Sequence, residues 1–273
     1  SDMPLAVMPM GAEMYYDPVK GPIYPQPIRT QADVDALRVP VAEEGLPFQI
    51  DTVRILKDEM KDKVPLIGFA GCPFTLGAYM VEGGVSQRYY WVKSMIYEAP
   101  EIFHSLMRKI TLFATDLLRT QIRTGANAVM LFESWGGVLT RREYLEFAYP
   151  YAKKIIAELK QEKVPIIYFV DKGGALLEDI KDSGADVIQV DFRTDLDTAI
   201  KRLGQNVAVQ GNLDPYILLS APRDIMRQRV KEILDMGQAA KGHVFNLGDG
   251  IQPETPVDHS KALVEAVHEF SRR

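Results

Sequence analysis

The chain has 273 residues, 47% apolar and 25% charged, the balance of an ordinary globular domain able to bury a sizeable core. A formal net charge of −5 excludes nucleic acid as the main partner, because a phosphate backbone calls for a basic surface. Cys72 is the only cysteine, so no internal disulfide is available and a reducing, cytoplasmic setting is expected.

Residues 1–30 carry Pro18, Gly21, Pro22, Pro25 and Pro27, which forbid a long helix and predict a loop or a short hairpin. Thr30 is an N-cap candidate for a short helix over 31–37, and a longer helix is expected over 41–62. The first recognisable strand is the apolar run 64–70. Five similar runs follow at 127–134, 164–170, 186–191, 206–211 and 243–248, each rich in β-branched or aromatic residues. They end in small or polar residues, namely Gly71, Ser134, Asp171, Asp191, Asn212 and Asp249. Helical patterns fill the intervals at 86–98, 100–123, 140–161, 174–183, 194–203 and 221–236, and a last helix covers 257–270. Gly125, Gly184, Gly204 and Gly237 are the expected stops. The stretch 65–81 is uncharged, but Pro65, Pro73 and three glycines interrupt it, so a turn is expected there and a membrane span is rejected.

Strands alternating with helices predict an α/β fold, a (β/α)₈ TIM barrel forming a single domain over 1–273. Such a barrel has eight strands and six are recognisable, so the first two are expected to be lacking from the sequence. Active sites of barrels lie at the carboxyl ends of the strands, which directs attention to the residues just after each run. Each of these also has a structural reading. Tyr79 fits a ring packed on an apolar turn, Ser134 a helix cap, and Asp214 before Pro215 a turn. Glu133 fits a tie between loops or a strand-end base, and Cys72 a core residue. The four histidines, His104, His243, His259 and His268, fall in different elements without ligand spacing, so no metal site is expected. No phosphate-binding glycine motif follows a strand, which disfavours a nucleotide cofactor.

Four strings carry a family likeness: GFAGCPFTLGAYMVEGG at 68–84, LFESWGG at 131–137, VQGNLDP at 209–215, and FNLGDG at 245–250 followed by PETP at 253–256. Together they closely resemble the uroporphyrinogen decarboxylases, and the resemblance runs from Ser1 to the last helix. It implies decarboxylation of the acetate side chains of uroporphyrinogen to give coproporphyrinogen in heme biosynthesis, with no metal or organic cofactor. The implied substrate is its own electron sink, since a pyrrole protonated at a ring carbon accepts the electron pair released when the acetate C–C bond breaks. By resemblance Asp2 is the anion beneath the pyrrole N–H groups, stabilising the cationic intermediate. Tyr79 is implied as a substrate-contacting phenol, Ser134 as a hydrogen-bond partner of a substrate carboxylate, and Phe69 and Phe132 as apolar walls. A homodimer is also implied.

Two departures stand out. The family's Arg-Gln-Ala-Gly-Arg-Tyr motif has no counterpart in 1–273, so the chain as given is expected to be impaired. Asp249, a substrate-binding position by resemblance, stands where the family usually has histidine and sets an anion beside a polycarboxylate, a repulsion of up to several kcal/mol. Two alternatives are a catalytically silent tetrapyrrole-binding relative, which Asp249 keeps open, and a corrinoid-linked methyltransferase, which would need a His and Cys zinc site.

Overall fold

The computed structural model describes residues 3–61 and 63–271. All six expected strands form. They are β3 (Ile67–Gly71), β4 (Ala128–Glu133), β5 (Ile166–Val170), β6 (Val187–Gln189), β7 (Ala208–Gln210) and β8 (His243–Val244), preceded by a hairpin of β1 (Tyr15–Asp17) and β2 (Gly21–Ile23). Strands β3 to β8 follow one another in chain order in one six-stranded sheet, the neighbour-to-neighbour order of a strand–helix barrel. The α/β reading therefore holds, and the strands are shorter than the apolar runs, β3 and β5 losing residues at their amino ends and β8 at its carboxyl end.

The chain divides into two compact units, Ser1–Ile166 and Ile167–Arg273. In the first, β3 and β4 run parallel with Ile67 opposite Ala128 and Gly71 opposite Phe132. That register brings the carboxyl ends of both strands level, so the residues after Gly71 and Phe132 emerge side by side. The helix Pro100–Thr124 buries Phe103, Leu106, Met107, Ile110, Phe113 and Leu117, a spacing of three and four that keeps one face apolar throughout. In the second unit β6 pairs parallel with β5 and β7, and β8 pairs with β7. No helix among the described residues is long and apolar enough to cross a membrane.

Several helices differ from expectation, and proline accounts for most of the differences. The pattern over 41–62 is split into Ala42–Gly45 and Pro47–Met60, because Leu46 precedes a proline and takes φ −131° and ψ 50° instead of a helical conformation. The pattern over 140–161 breaks likewise at Ala148, just before a helix that begins Tyr149-Pro150. Pro73 acts in the opposite sense. It occupies the first turn of a helix over Pro73–Glu82, where its missing N–H costs nothing, so the expected turn is a helix and Tyr79 sits on it. The expected helix over 174–183 is three short pieces, and the glycine stops hold at Gly125, Gly184 and Gly204 but not at Gly237, which ends its helix from inside. Leu106→Ala should cost about 2–5 kcal/mol, the transfer and cavity terms for a fully buried leucine, read by urea unfolding.

Candidate active site

In the first unit the sequence brings Phe69, Tyr79, Phe132 and Ser134 to the carboxyl ends of β3 and β4. Phe69 and Phe132 meet edge to face with centroids 5.8 Å apart, and Phe69 remains 38% exposed. Tyr79 projects from the second turn of the helix that follows β3, and its ring lies on Trp135 at 4.1 Å between centroids. Trp135 also receives the edge of Tyr89 at 4.9 Å. Ser134 is half-buried beside Trp135, and the short 3₁₀ helix over Gly136–Val138 is capped by Trp135, so Ser134 is not the cap that its position suggested. Asp2 lies outside the described residues.

Under these rings is a buried polar knot. Glu133 closes β4 with 0% exposure and accepts a hydrogen bond from the Thr75 hydroxyl, while the Trp135 N–H donates to Thr75 Oγ1 at 3.3 Å. Its other oxygen, Oε2, has no partner. Burial dominates and pushes the Glu133 carboxyl up to about 8, against the lowering effect of Thr75, Cys72 and the Trp135 N–H. Burial likewise raises the Cys72 thiol, which sits against the same carboxyl with 0% exposure, as expected of a core cysteine. Glu133 is thus the tie between loops that its sequence position allowed.

In the second unit a different cluster forms at the ends of β5 and β6 and after β8. The Arg193 guanidinium lies 3.0 Å from Asp171, 3.7 Å from Asp191 and 3.9 Å from Asp249, and packs over the Phe192 ring at 4.2 Å. Arg193 is 41% and Asp249 39% exposed at the side chain, so both face solvent. Burial and the Asp249 carboxylate push Asp171 above the usual carboxylate range, against the pull of Arg193. Gly248 lets the loop bearing Asp249 come close, since a Cβ there would stand 2.4 Å from the Phe192 nitrogen. Asp214 caps the helix Pro215–Ser220 by accepting from the Tyr216 N–H at 2.9 Å, its structural reading.

The sequence model of the family described as Uroporphyrinogen decarboxylase (URO-D) matches residues 1–270. The chain belongs to the uroporphyrinogen decarboxylase family. The uroporphyrinogen decarboxylase of Geobacter metallireducens is 44% identical over 273 residues, covering 100% of this chain and 79% of that protein. That of Geotalea daltonii is 45% identical with the same coverage. Among solved structures, a methyltransferase from Methanosarcina mazei superposes with a TM-score of 0.80 over 99% of this chain and 79% of that one, at 20% identity. A B12-independent methionine synthase from Shewanella gives 0.57 over 81% of this chain and 64% of that one, at 11% identity. These two likenesses are of fold alone.

Among the described residues no group of three or more His, Cys, Asp or Glu side chains is arranged to hold a metal ion. Arg193 escaped the sequence reading. It lies two residues beyond Asp191, where the run had ended, and only the fold gathers its three acidic neighbours; an arginine in the loop after β6 was the available signal.

Because the folded chain holds the Glu133 carboxyl at about 8, above its ordinary 4.5, ionisation favours unfolding. The contribution of this group is fully present below about pH 4.5 and is lost as the pH rises to about 8. Denaturant titrations across that interval should show roughly 3–5 kcal/mol of stability lost relative to Glu133→Gln, whose side chain does not titrate.

Proposed function

We propose that this protein is a carboxy-lyase that removes the acetate carboxyl groups of uroporphyrinogen, giving coproporphyrinogen in tetrapyrrole biosynthesis. The observation that carries the reading is the family match across residues 1–270, which includes every cleft residue described above. Residues 1–273 act in it as one catalytic barrel domain, and a second copy completes a homodimer.

The chemistry needs little from the protein beyond charge placed well. Asp2 supplies the anion for the pyrrole N–H groups, holding the cationic ring while the C–C bond breaks and the carboxyl carbon leaves as carbon dioxide. Phe69 and Phe132 keep the surroundings of low polarity, which strengthens that attraction. The Tyr79 phenol and the Ser134 hydroxyl hydrogen-bond substrate carboxylates or help to hold Asp2. Asp249 belongs to the substrate-binding rim, and the nearby Arg193 cation answers the difficulty that an acid poses there. The guanidinium offsets the Asp249 charge and, being partly exposed and only loosely paired with Asp249, turns a donor to a substrate carboxylate.

Incubated anaerobically with uroporphyrinogen in a form that carries the family's Arg-Gln-Ala-Gly-Arg-Tyr motif, the protein should yield coproporphyrinogen by chromatography, and absence of product overturns the reading; residues 1–273 alone should turn over far more slowly. In the same assay Asp2→Asn should lower kcat about 10²–10³-fold, the usual loss of one preorganised charge-stabilising group. Arg193→Leu should raise KM roughly tenfold or more with a smaller change in kcat, the worth of one charge-assisted hydrogen bond to bound substrate.

A further inference from the structure

The polar knot below the cleft does not take part in the chemistry proposed above, yet Tyr79, Phe132, Ser134 and Trp135 are all attached to it. Glu133 follows Phe132 and precedes Ser134 and Trp135; its partner Thr75 lies one helical turn before Tyr79. Thr75 is the link. Its hydroxyl donates to Glu133 Oε1, and its oxygen accepts the Trp135 N–H at 3.3 Å, so one side chain holds both the end of β4 and the turn beyond it. Trp135 in turn carries the Tyr79 ring at 4.1 Å.

We propose that Glu133 is a positioning residue that acts as a neutral carboxylic acid, locking the turn of Ser134 and Trp135 to the helix of Tyr79 through Thr75. Three features require the neutral form. The carboxyl has no exposure to solvent, Oε2 has no partner, and the groups acting on it are Thr75, Cys72 and the Trp135 N–H, none of them positively charged. A carboxylate in such a place would be a buried charge met only by the neutral donors of Thr75, Cys72 and the Trp135 backbone, whereas the acid carries no charge and leaves the hydroxyl at Oε2 as its one unpaired group. Cys72, from the β3 end, is the titratable side chain set against it, and its thiol is itself raised by burial and by Glu133, so it supplies no cation.

The lock therefore opens when Glu133 loses its proton. An anion sealed at this point draws water or swings toward solvent, and either movement drags Phe132 and Ser134 on one side and Thr75 on the other. The inference rests on the decarboxylase reading for its kinetic test but not for its structural one. Glutamine has the same shape, donates and accepts, and cannot ionise.

For the kinetic test, kcat/KM for uroporphyrinogen is measured at about pH 7 and about pH 9 in the parent enzyme and in Glu133→Gln. Ionisation near 8 predicts about a tenfold fall in the parent and less than about a twofold fall in the variant. Equal falls in both, or a folded variant inactive at both pH values, overturn the proposal. A merely structural Glu133 would change the unfolding temperature and leave these two pH profiles alike.

The structural test uses the two tryptophans, Trp91 and Trp135. In Trp91→Phe the emission of Trp135 alone should titrate with a midpoint near pH 8, and emission flat through that range overturns the proposal even if Glu133→Gln does not fold. A parent that makes no coproporphyrinogen but shows this titration refutes the decarboxylase reading and leaves the lock standing.

Discussion

One hydrogen bond, from the Thr75 hydroxyl to Glu133, fixes the active-site end of the first unit. It spans 58 residues of sequence and joins the helix after β3 to the end of β4, two segments that the parallel register has already brought level. Regular pairing ends at Gly71 and Phe132, with one further bond from the Cys72 N–H to the Phe132 carbonyl at 2.8 Å. Beyond that point the backbone ladder gives no more direction, and side chains must aim the loops. Thr75 does this by serving both as a donor to Glu133 and as an acceptor for Trp135. The Tyr79 ring is then placed by stacking, not by a turn of its own.

The second unit solves a different problem with the opposite kind of group. Three carboxylates, Asp171, Asp191 and Asp249, surround a single guanidinium, and none is buried beyond its reach. Asp191 accepts the Arg193 backbone N–H at 2.8 Å as well, so the loop after β6 is shaped by an acid two residues earlier. The closest ion pair is with Asp171, at 3.0 Å, while Asp249 stands at 3.9 Å and is held more loosely. An arginine suits this better than a lysine, because its planar fork offers separate donors to separate acceptors.

Much of this was legible from the residues alone, and the exceptions share a cause. All six strands were marked by β-branched or aromatic runs, most plainly β5 and β6, which are buried on both faces, although β3 and β8 leave apolar residues exposed. Tyr79 and Ser134 were reached by the rule that barrels work at their strand ends, and Phe69 and Phe132 by the family resemblance; Phe69 lies within β3, Phe132 and Ser134 at the end of β4, and Tyr79 on the helix after β3. The helix Pro73–Glu82 was hidden because Pro73, Gly77 and the lack of any charge imitate a turn, although proline in a first helical turn is favourable. The break at Leu46 shows the complementary effect, since the proline after it disfavours the helical conformation there, and at Ala148 the break lies two residues before Pro150, which has no N–H to continue the preceding helix. What the sequence withheld was tertiary charge. Neither the enclosure of Glu133 nor the three acids around Arg193 can be inferred from spacing, as their members lie in separate loops.

The chain as a whole carries a net charge of −5, and each unit handles a carboxylate beyond its strand ends in its own way. In the first, burial silences Glu133 by making its ionised form unfavourable by about 5 kcal/mol, the energy equivalent of moving a carboxyl from 4.5 to about 8. In the second, exposure makes such silencing impossible, and a counter-ion offsets Asp249 instead. The two devices differ in what they leave behind. A neutral acid is a fixed strut with no attraction for ligand, whereas an arginine shared among acids keeps donors to offer. That difference is why Glu133 is assigned to position its neighbours and Arg193 to bind.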